Sequence, residues 1–388
     1  RDRSAQAEVQ WDSRLGDLPG PVGSTVGARR QGGPGGAPGP GVRARCGGCP
    51  QGAVPRYRGR SSGAQRLDIL HVDSAVEWRG GQQLLFRLAR GQARLGQDVA
   101  VACPPAGRLW QELGAAGVAR VPIASGGSLR ALGQLHRAGA RLHVAHTSHA
   151  HGNCVVLPTP LVVHRWVDRS PTLGHLGRLK YGRPAAYIAC SRAVALVLES
   201  LGLGPVHVVY GGTDLPAEGV AADAPDVLAL GANVHHKGHD VLVLAARMLR
   251  AGGWPGVDVG VAGPGPVHGA PVRSLGQRED VGPLLRGCSV FVQPSRSEGL
   301  GMAVVEAMML GRPVVASAVG GIVEVVEADG VLVPAGSPEA LAEAILHARG
   351  LPRAQLDTAA VRVRAQFSTS AMVSGAMAVY DEVLRASG

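Results

Sequence analysis

Residues 291–321 read FVQPSRSEGLGMAVVEAMMLGRPVVASAVGG, and their reading decides the fold. An apolar run of strand length, SVFVQPS (289–295), leads into a polar, glycine-bearing loop from Arg296 to Gly301, and a helical stretch begins near Met302. Gly311 stops that helix, Pro313 lies beyond it, and PVVAS (313–317) is the next short apolar run. Strand, helix and strand in this order form the repeating unit of a parallel sheet.

The same alternation extends outward in both directions. Upstream it includes LDILHVD (67–73), a helical QQLLFRLARGQARLG (82–96) that stops at Gly96, and DVAVACP (98–104). VARVPI (118–123), LHVAH (142–146), LVVHRWV (161–167), AAYIACS (185–191) and VHVVY (206–210) continue it. A polar, turn-rich DLPAEGVAADAPD (214–226) reads as a linker, after which the pattern restarts with VLALGA (227–232), VDVGVAG (257–263) and VLVP (331–334). Ser337-Pro338 opens a helix with an N-cap and a first-turn proline. The expected architecture is α/β, with two doubly wound, Rossmann-like domains facing across a cleft. Their expected bounds are 65–216 and 226–366, and ligands are expected beyond the C-terminal strand ends.

The loop 296–301 carries chemistry as well as topology. Gly299 and Gly301 leave backbone amides open at a helix N-terminus, where the helix dipole favours oxygen-rich or anionic groups. Glu298 in the loop and Glu306 one turn into the helix can point into one crevice and accept bonds from hydroxyls. Composition alone favours an ordinary turn with two solvated glutamates.

The residue pattern shifts that balance, because 291–321 closely resembles family-4 glycosyltransferases, a retaining, group 1 family of the GT-B fold. The resemblance runs from about residue 67 to the C-terminus. It implies that Glu298 contacts the donor sugar of a nucleotide sugar and Glu306 its ribose, with the amides of Gly299, Leu300, Gly301 and Met302 also facing the donor. LGANVHHKGHDVLVLAA (230–246) resembles the family's diphosphate-binding segment, with Lys237 on the lysine position. Ala232 stands where most members place an arginine, so one cationic partner is missing, and His235, His236 or His239 would compensate only in part. Arg79-Gly80-Gly81 is similar to the family's Gly-Gly loop, which places Gly80 and Gly81 near the donor phosphates and the acceptor. In VAHTSHAHG (144–152), His146 best matches the histidine that faces the donor sugar, with His149 as runner-up. His164, Arg165 and Asp168 fall where acceptor contacts are expected in this fold. FSTSAMVSGAMAVYDEVL (367–384) resembles the C-terminal helix that crosses back to the first domain.

Composition bounds the alternatives. The chain has 388 residues, 45% hydrophobic and 18% charged, enough for two ordinary cores and without a long apolar span. Its net charge is +10, but residues 1–64 hold ten arginines against Asp2, Glu8, Asp12 and Asp17 and so account for +6 of it. That segment has fifteen Gly and seven Pro and reads as a disordered extension. With the charge concentrated there and no aromatic RNA-binding motif, nucleic acid is not an expected partner. Lys180 and Lys237 are the only lysines, which singles out the second. Cys46 and Cys49 have metal-knuckle spacing but no second pair, and Cys103, Cys154, Cys190 and Cys288 read as buried small apolar groups of a reducing, cytoplasmic protein. The cluster His143, His146, His149 and His151 lacks carboxylates at ligand spacing, and no Asp-x-Asp occurs, so neither a metal nor another cofactor is expected.

The expected partners are a nucleotide sugar and a saccharide, envelope or lipid-linked acceptor, with peripheral membrane contact compatible. A GT-B-fold sugar-nucleotide epimerase, a non-catalytic family member and a nucleic-acid binder acting through the arginine-rich tail are the rival readings.

Overall fold

Apolar runs this short become strands when helices cover both faces of the sheet they build. The computed structural model describes residues 67–167, 174–214 and 218–387. The stretch 1–64, the Cys46/Cys49 pair, Asp168 and residues 215–217 of the linker lie outside the described residues.

A first sheet contains β1 (Leu67–Val72), β2 (Val99–Cys103), β3 (Ala119–Pro122), β4 (Ala140–Ala145), β5 (Leu161–Arg165), β6 (Ala186–Ala189) and β7 (Val206–Val208). All its pairings are parallel and the order is β3-β2-β1-β4-β5-β6-β7. Its crossovers carry α1 (Gly80–Arg94), α2 (Arg108–Ala115), α3 (Leu129–Ala138), α4 (Ser148–Cys154), α5 (His175–Gly182) and α6 (Arg192–Ser200). Every residue of β2 and β6 is buried, which is why these strands read as continuous apolar runs without alternation.

The second sheet contains β8 (Val227–Leu230), β9 (Val259–Ala262), β10 (Val272–Gly276), β11 (Val290–Gln293), β12 (Val314–Ser317) and β13 (Val331–Val333), with α7 (His239–Ala251), α8 (Val281–Gly287), α9 (Met302–Met309), α10 (Ile322–Val326) and α11 (Pro338–Ala348). It too is parallel, in the order β10-β9-β8-β11-β12-β13. The strand β10 has no counterpart among the apolar runs in the sequence. It is an edge strand with no fully buried residue, so no apolar period marks it.

α12 (Arg353–Gln366) packs on α9, and α13 (Thr369–Ala386) returns to the first sheet. There Met372, Val373, Ala376, Val379 and Tyr380 share one core with Ile69, Leu142, Val144, Val162 and Ile188. Helix starts follow side-chain caps: the Ser128, Thr147, Ser191, Ser337 and Ser368 oxygens each accept an amide of the first turn. Cys103, Cys154, Cys190 and Cys288 are buried and form no disulfide. Among the described residues no helix is long and apolar enough to cross a membrane.

Each sheet reverses its direction of growth once, between β1 and β4 in the first and between β8 and β11 in the second. At such a reversal the flanking loops splay apart beyond the C-terminal strand ends and leave a crevice. The loops that carry Gly80, His146, Lys237 and Glu298 leave the strands at these two reversals.

Candidate functional site

In the second sheet the crevice is edged by the loops after β8 and β11. The chain leaves β8 through Gly231 and a tight turn over His235–Lys237, then enters α7 through Gly238 in the left-handed region (φ 68°). A side chain at Gly238 would collide with the Pro294 carbonyl, so the two loops lie against each other and Lys237 meets the loop after β11. Its Nζ donates to Glu298 Oε1 at 2.5 Å. The same oxygen accepts from Ser295 Oγ at 2.9 Å and Gln293 Nε2 at 3.2 Å. Gln293 and Ser295 are buried, so the carboxylate is fixed from beneath while Lys237 approaches from the side. Beyond it, Gly301 (φ 88°) is the N-cap of α9 and leaves no room for a side chain against Ile322.

In the first sheet, β4 pairs with β1 so that His71 lies opposite Val144. His146 is two residues beyond Val144 and on the same face, which brings it to His71: His146 Nε2 and His71 Nδ1 are 2.9 Å apart. Both rings are buried. The Gly80-Gly81 turn at the start of α1 is held by its neighbours. Gln82 Oε1 accepts the Arg79 amide at 3.2 Å, and Gln82 Nε2 donates to the buried Asp73 at 2.9 Å. Burial pushes the Asp73 carboxyl above its usual range, against bonds from the Ala75 amide and Gln82.

The C-terminal ends of the two sheets face each other and touch. Trp166, just after β5, lies with its ring 3.3 Å from where a side chain on Gly81 would start, and its carbonyl group abuts Gly299. Its indole lies nearly parallel to the His146 ring, with centroids 5.8 Å apart and an interplanar angle of 12°. Ser191 Oγ donates to the Gly299 carbonyl at 2.7 Å. Glu324 of α10 accepts the Arg192 and Ala193 amides of α6, each at 2.8 Å, and the Tyr210 hydroxyl at 3.0 Å. Arg87 of α1 pairs with Glu306 of α9 at 3.5 Å. Burial raises the Glu306 carboxyl above its usual range and Arg87 opposes the shift.

This arrangement supplies a cation, two carboxylates, a helix N-terminus and a buried imidazole around one crevice, and sequence comparison gives it a lineage. Residues 78–216 match the family described as Glycosyltransferase Family 4, and residues 224–349 match Glycosyl transferases group 1. The chain belongs to glycosyltransferase family 4, group 1. A D-inositol 3-phosphate glycosyltransferase of Salinispora arenicola is 38% identical over 116 residues, 28% of this chain and 25% of that protein. The lipopolysaccharide core biosynthesis glycosyltransferase LpsE of Rhizobium meliloti is 29% identical over 178 residues, 42% of this chain and 44% of that protein. The chain spans about a quarter to two fifths of the length of the curated relatives it matches first. Anabaena HepE, solved in complex with UDP-glucose, superposes with a TM-score of 0.68 at 19% identity, covering 81% of this chain and 100% of that one. The likeness to HepE is one of fold, and the fold is GT-B.

Within this family member the structure gathers some of the expected residues and disperses others. Lys237, Glu298, Gly299, Leu300, Gly301, Met302 and Glu306 border the second sheet's crevice, and Gly80, Gly81 and His146 the first's. Arg165 does not join them. It follows His164 in β5 and points to the opposite face, where its charge acts on His151, Lys180 and Tyr187. His149 is exposed on α4, His143 bonds Thr159 at 2.6 Å, and His151 bonds the Lys180 carbonyl at 3.0 Å, so the four histidines do not converge. His239 cannot stand in for an arginine at position 232: it is buried, and burial beside Lys237 lowers its pKa to about 4, which keeps it neutral. Arg296 is committed to Asp240 through bonds of 2.8 and 2.6 Å. Arg87, Trp166, Ser191 and Glu324 were not singled out in the sequence. Ser191 opening a helix was the one local signal among them.

Proposed function

We propose that the chain is a retaining, metal-independent glycosyltransferase that moves a sugar from a nucleotide sugar to a hydroxyl of a saccharide, envelope or lipid-linked acceptor. The observation that carries this reading is the Lys237–Glu298 pair at the reversal point of the second sheet, beside the open amides of α9 and across from His146. The HepE complex with UDP-glucose supports a UDP-sugar as the first donor to try, and LpsE supports an envelope saccharide acceptor.

In this mechanism Lys237 leaves Glu298 for the donor diphosphate, and the amides from Gly299 to Met302 share its charge. Glu298 and His146 orient the sugar, Glu306 exchanges Arg87 for the ribose hydroxyls, and Gly80 and Gly81 let the backbone approach the phosphates. The bond from the anomeric carbon to the phosphate oxygen breaks while the acceptor oxygen bonds to the same face. The acceptor's proton passes to the departing diphosphate, so no protein carboxylate has to act as base. Preorganised positive charge at the leaving group is the main catalytic contribution.

Ala232 favours a second reading, a family member that binds nucleotides weakly and does not catalyse transfer. A thermal-shift panel of nucleoside diphosphates and nucleotide sugars, followed by an assay for nucleoside diphosphate release, separates the two. Stabilisation by a nucleotide sugar and turnover sharply lowered by Lys237→Ala support the transferase. Absence of binding across the panel removes it.

A further inference from the structure

We infer that Trp166, His71 and Gln92 are positioning residues that lock His146 into a single neutral tautomer, with its proton on Nε2 and its Nδ1 lone pair turned toward the crevice. An indole N–H can only donate, and Trp166 Nε1 lies 3.3 Å from His146 Nδ1. That nitrogen therefore carries no proton, and the His146 proton sits on Nε2, facing His71 Nδ1 at 2.9 Å. His71 must then accept at Nδ1 and carry its own proton on Nε2, which faces Gln92 Oε1 at 2.7 Å. The remaining end of Gln92, its amide nitrogen, donates to Met377 Sδ at 3.2 Å. One donor-only group at one end thus assigns every proton along the chain.

The reverse assignment fails at one place. If Gln92 turned its amide nitrogen to His71, both imidazole protons would move to Nδ1, and His146 Nδ1–H would oppose the indole N–H. Two buried donors facing each other leave both without an acceptor, which disfavours that arrangement. A charged His146 meets the same opposition. His164, whose ring centroid is 4.7 Å from that of His146, offers no carboxylate to offset it and turns its Nε2 to the Tyr380 hydroxyl at 2.7 Å. Burial holds His71 below the usual imidazole range against the bond to Gln92, and burial together with the rings of His164 and His71 holds His146 below it, in agreement with two neutral rings.

The functional weight of this lock rests on the transferase reading. Trp166 lies between Gly81 and Gly299, so a ligand that displaces the indole must replace its donor to keep the tautomer. A sugar hydroxyl can donate in the indole's place, whereas a carbonyl or carboxylate oxygen there would require the whole proton chain to reverse.

The test uses the full chain with nitrogen-15-labelled histidine and tryptophan, read by long-range proton–nitrogen correlation near pH 7.5 without ligand. His71 and His146 should both show the Nε2–H pattern; an Nδ1–H or doubly protonated His146 overturns the inference. Trp166→Phe keeps an aromatic ring and removes the donor. In that variant, folded by circular dichroism, His146 should become a mixture of tautomers, and a pure Nε2–H form would show that Trp166 does not set it. Added UDP-glucose should shift the Trp166 indole signal with the His146 tautomer unchanged, and a switch to Nδ1–H on binding would overturn the inference. Failure of UDP-glucose to shift any signal would count against the donor reading while the tautomer assignment stands.

Discussion

The contact between Gly299 and the first sheet leaves no space for even a methyl group. In Gly299→Ala the new methyl would lie 3.0 Å from the Trp166 carbonyl carbon and 3.3 Å from Cys190 Sγ, with the Trp166 oxygen closer still. Gly299 does not occupy the left-handed region, so alanine adds no backbone strain of its own and the substitution reads the contact. Ordinary van der Waals separation begins at 3.4 Å and the Trp166 oxygen would lie 2.3 Å away, so the loop must retreat by about 1 Å to relieve the overpacking. That retreat stretches the 2.7 Å bond from Ser191 to the Gly299 carbonyl beyond useful length. Overpacking costs about 1–3 kcal/mol and the lost bond about 1 kcal/mol. The touching arrangement should therefore weaken by about 2–4 kcal/mol, roughly 30- to 1000-fold as an equilibrium constant. Urea unfolding should show the loss as a lower midpoint, and small-angle scattering should show it as a larger radius if the sheets part instead. Because the loop also carries Glu298, donor turnover should fall about 100-fold, the usual effect of a displacement of this size. An alanine variant with wild-type midpoint, radius and turnover would refute the reasoning.

Three further outcomes are expected. Lys237→Ala should lower turnover by about two to three orders of magnitude, on the scale of one preorganised electrostatic contact, with UDP-glucose affinity by calorimetry reduced as well; a variant with wild-type kinetics would count against the diphosphate assignment. Glu324→Ala should cost about 1–2 kcal/mol in urea unfolding, the range of a lost helix cap, while Glu324→Gln, which keeps one acceptor oxygen, should lose less. Burial lowers the pKa of His71, His143, His151 and His239 to about 4. The unfolded chain therefore binds more protons than the folded one between the ordinary imidazole value of 6.5 and about 4. Stability should be complete above that window and fall as pH drops through it, by up to about 1.4 kcal/mol per pH unit for each histidine. Urea midpoints measured from pH 8 to pH 4 test the slope, and a flat profile would show that these rings are not held neutral.

The two sheets were legible because a parallel strand under helices leaves an unbroken apolar run, and because caps such as Ser337-Pro338 mark helix starts. The edge strand β10 escaped for the same reason: exposed residues carry no apolar signature. Lys237 and Glu298 could be found because each sits in a local pattern on a glycine-bearing loop. Their pairing could not, since it depends on two loops 61 positions apart meeting at one reversal of strand order. Arg87, Trp166 and Glu324 were illegible for a related reason. Each acts on the opposite sheet, and a contact that spans the crevice leaves no period in either segment. The tautomer chain lies further out of reach, because His71, Gln92 and His146 look like unrelated polar residues until β1, α1 and β4 are assembled.

Glu324 gives the molecule an internal gauge of its own opening. The first-turn amides of α6 are completed by an acid from the other half of the protein, so they have no acceptor of their own when the halves separate. Each excursion hands the Arg192 and Ala193 amides to water, while the rest of α6 keeps its own ladder. Deuterium uptake at those two positions should thus track how often the crevice opens. A ligand that draws the halves together should slow that uptake before any change appears in the interior of either sheet.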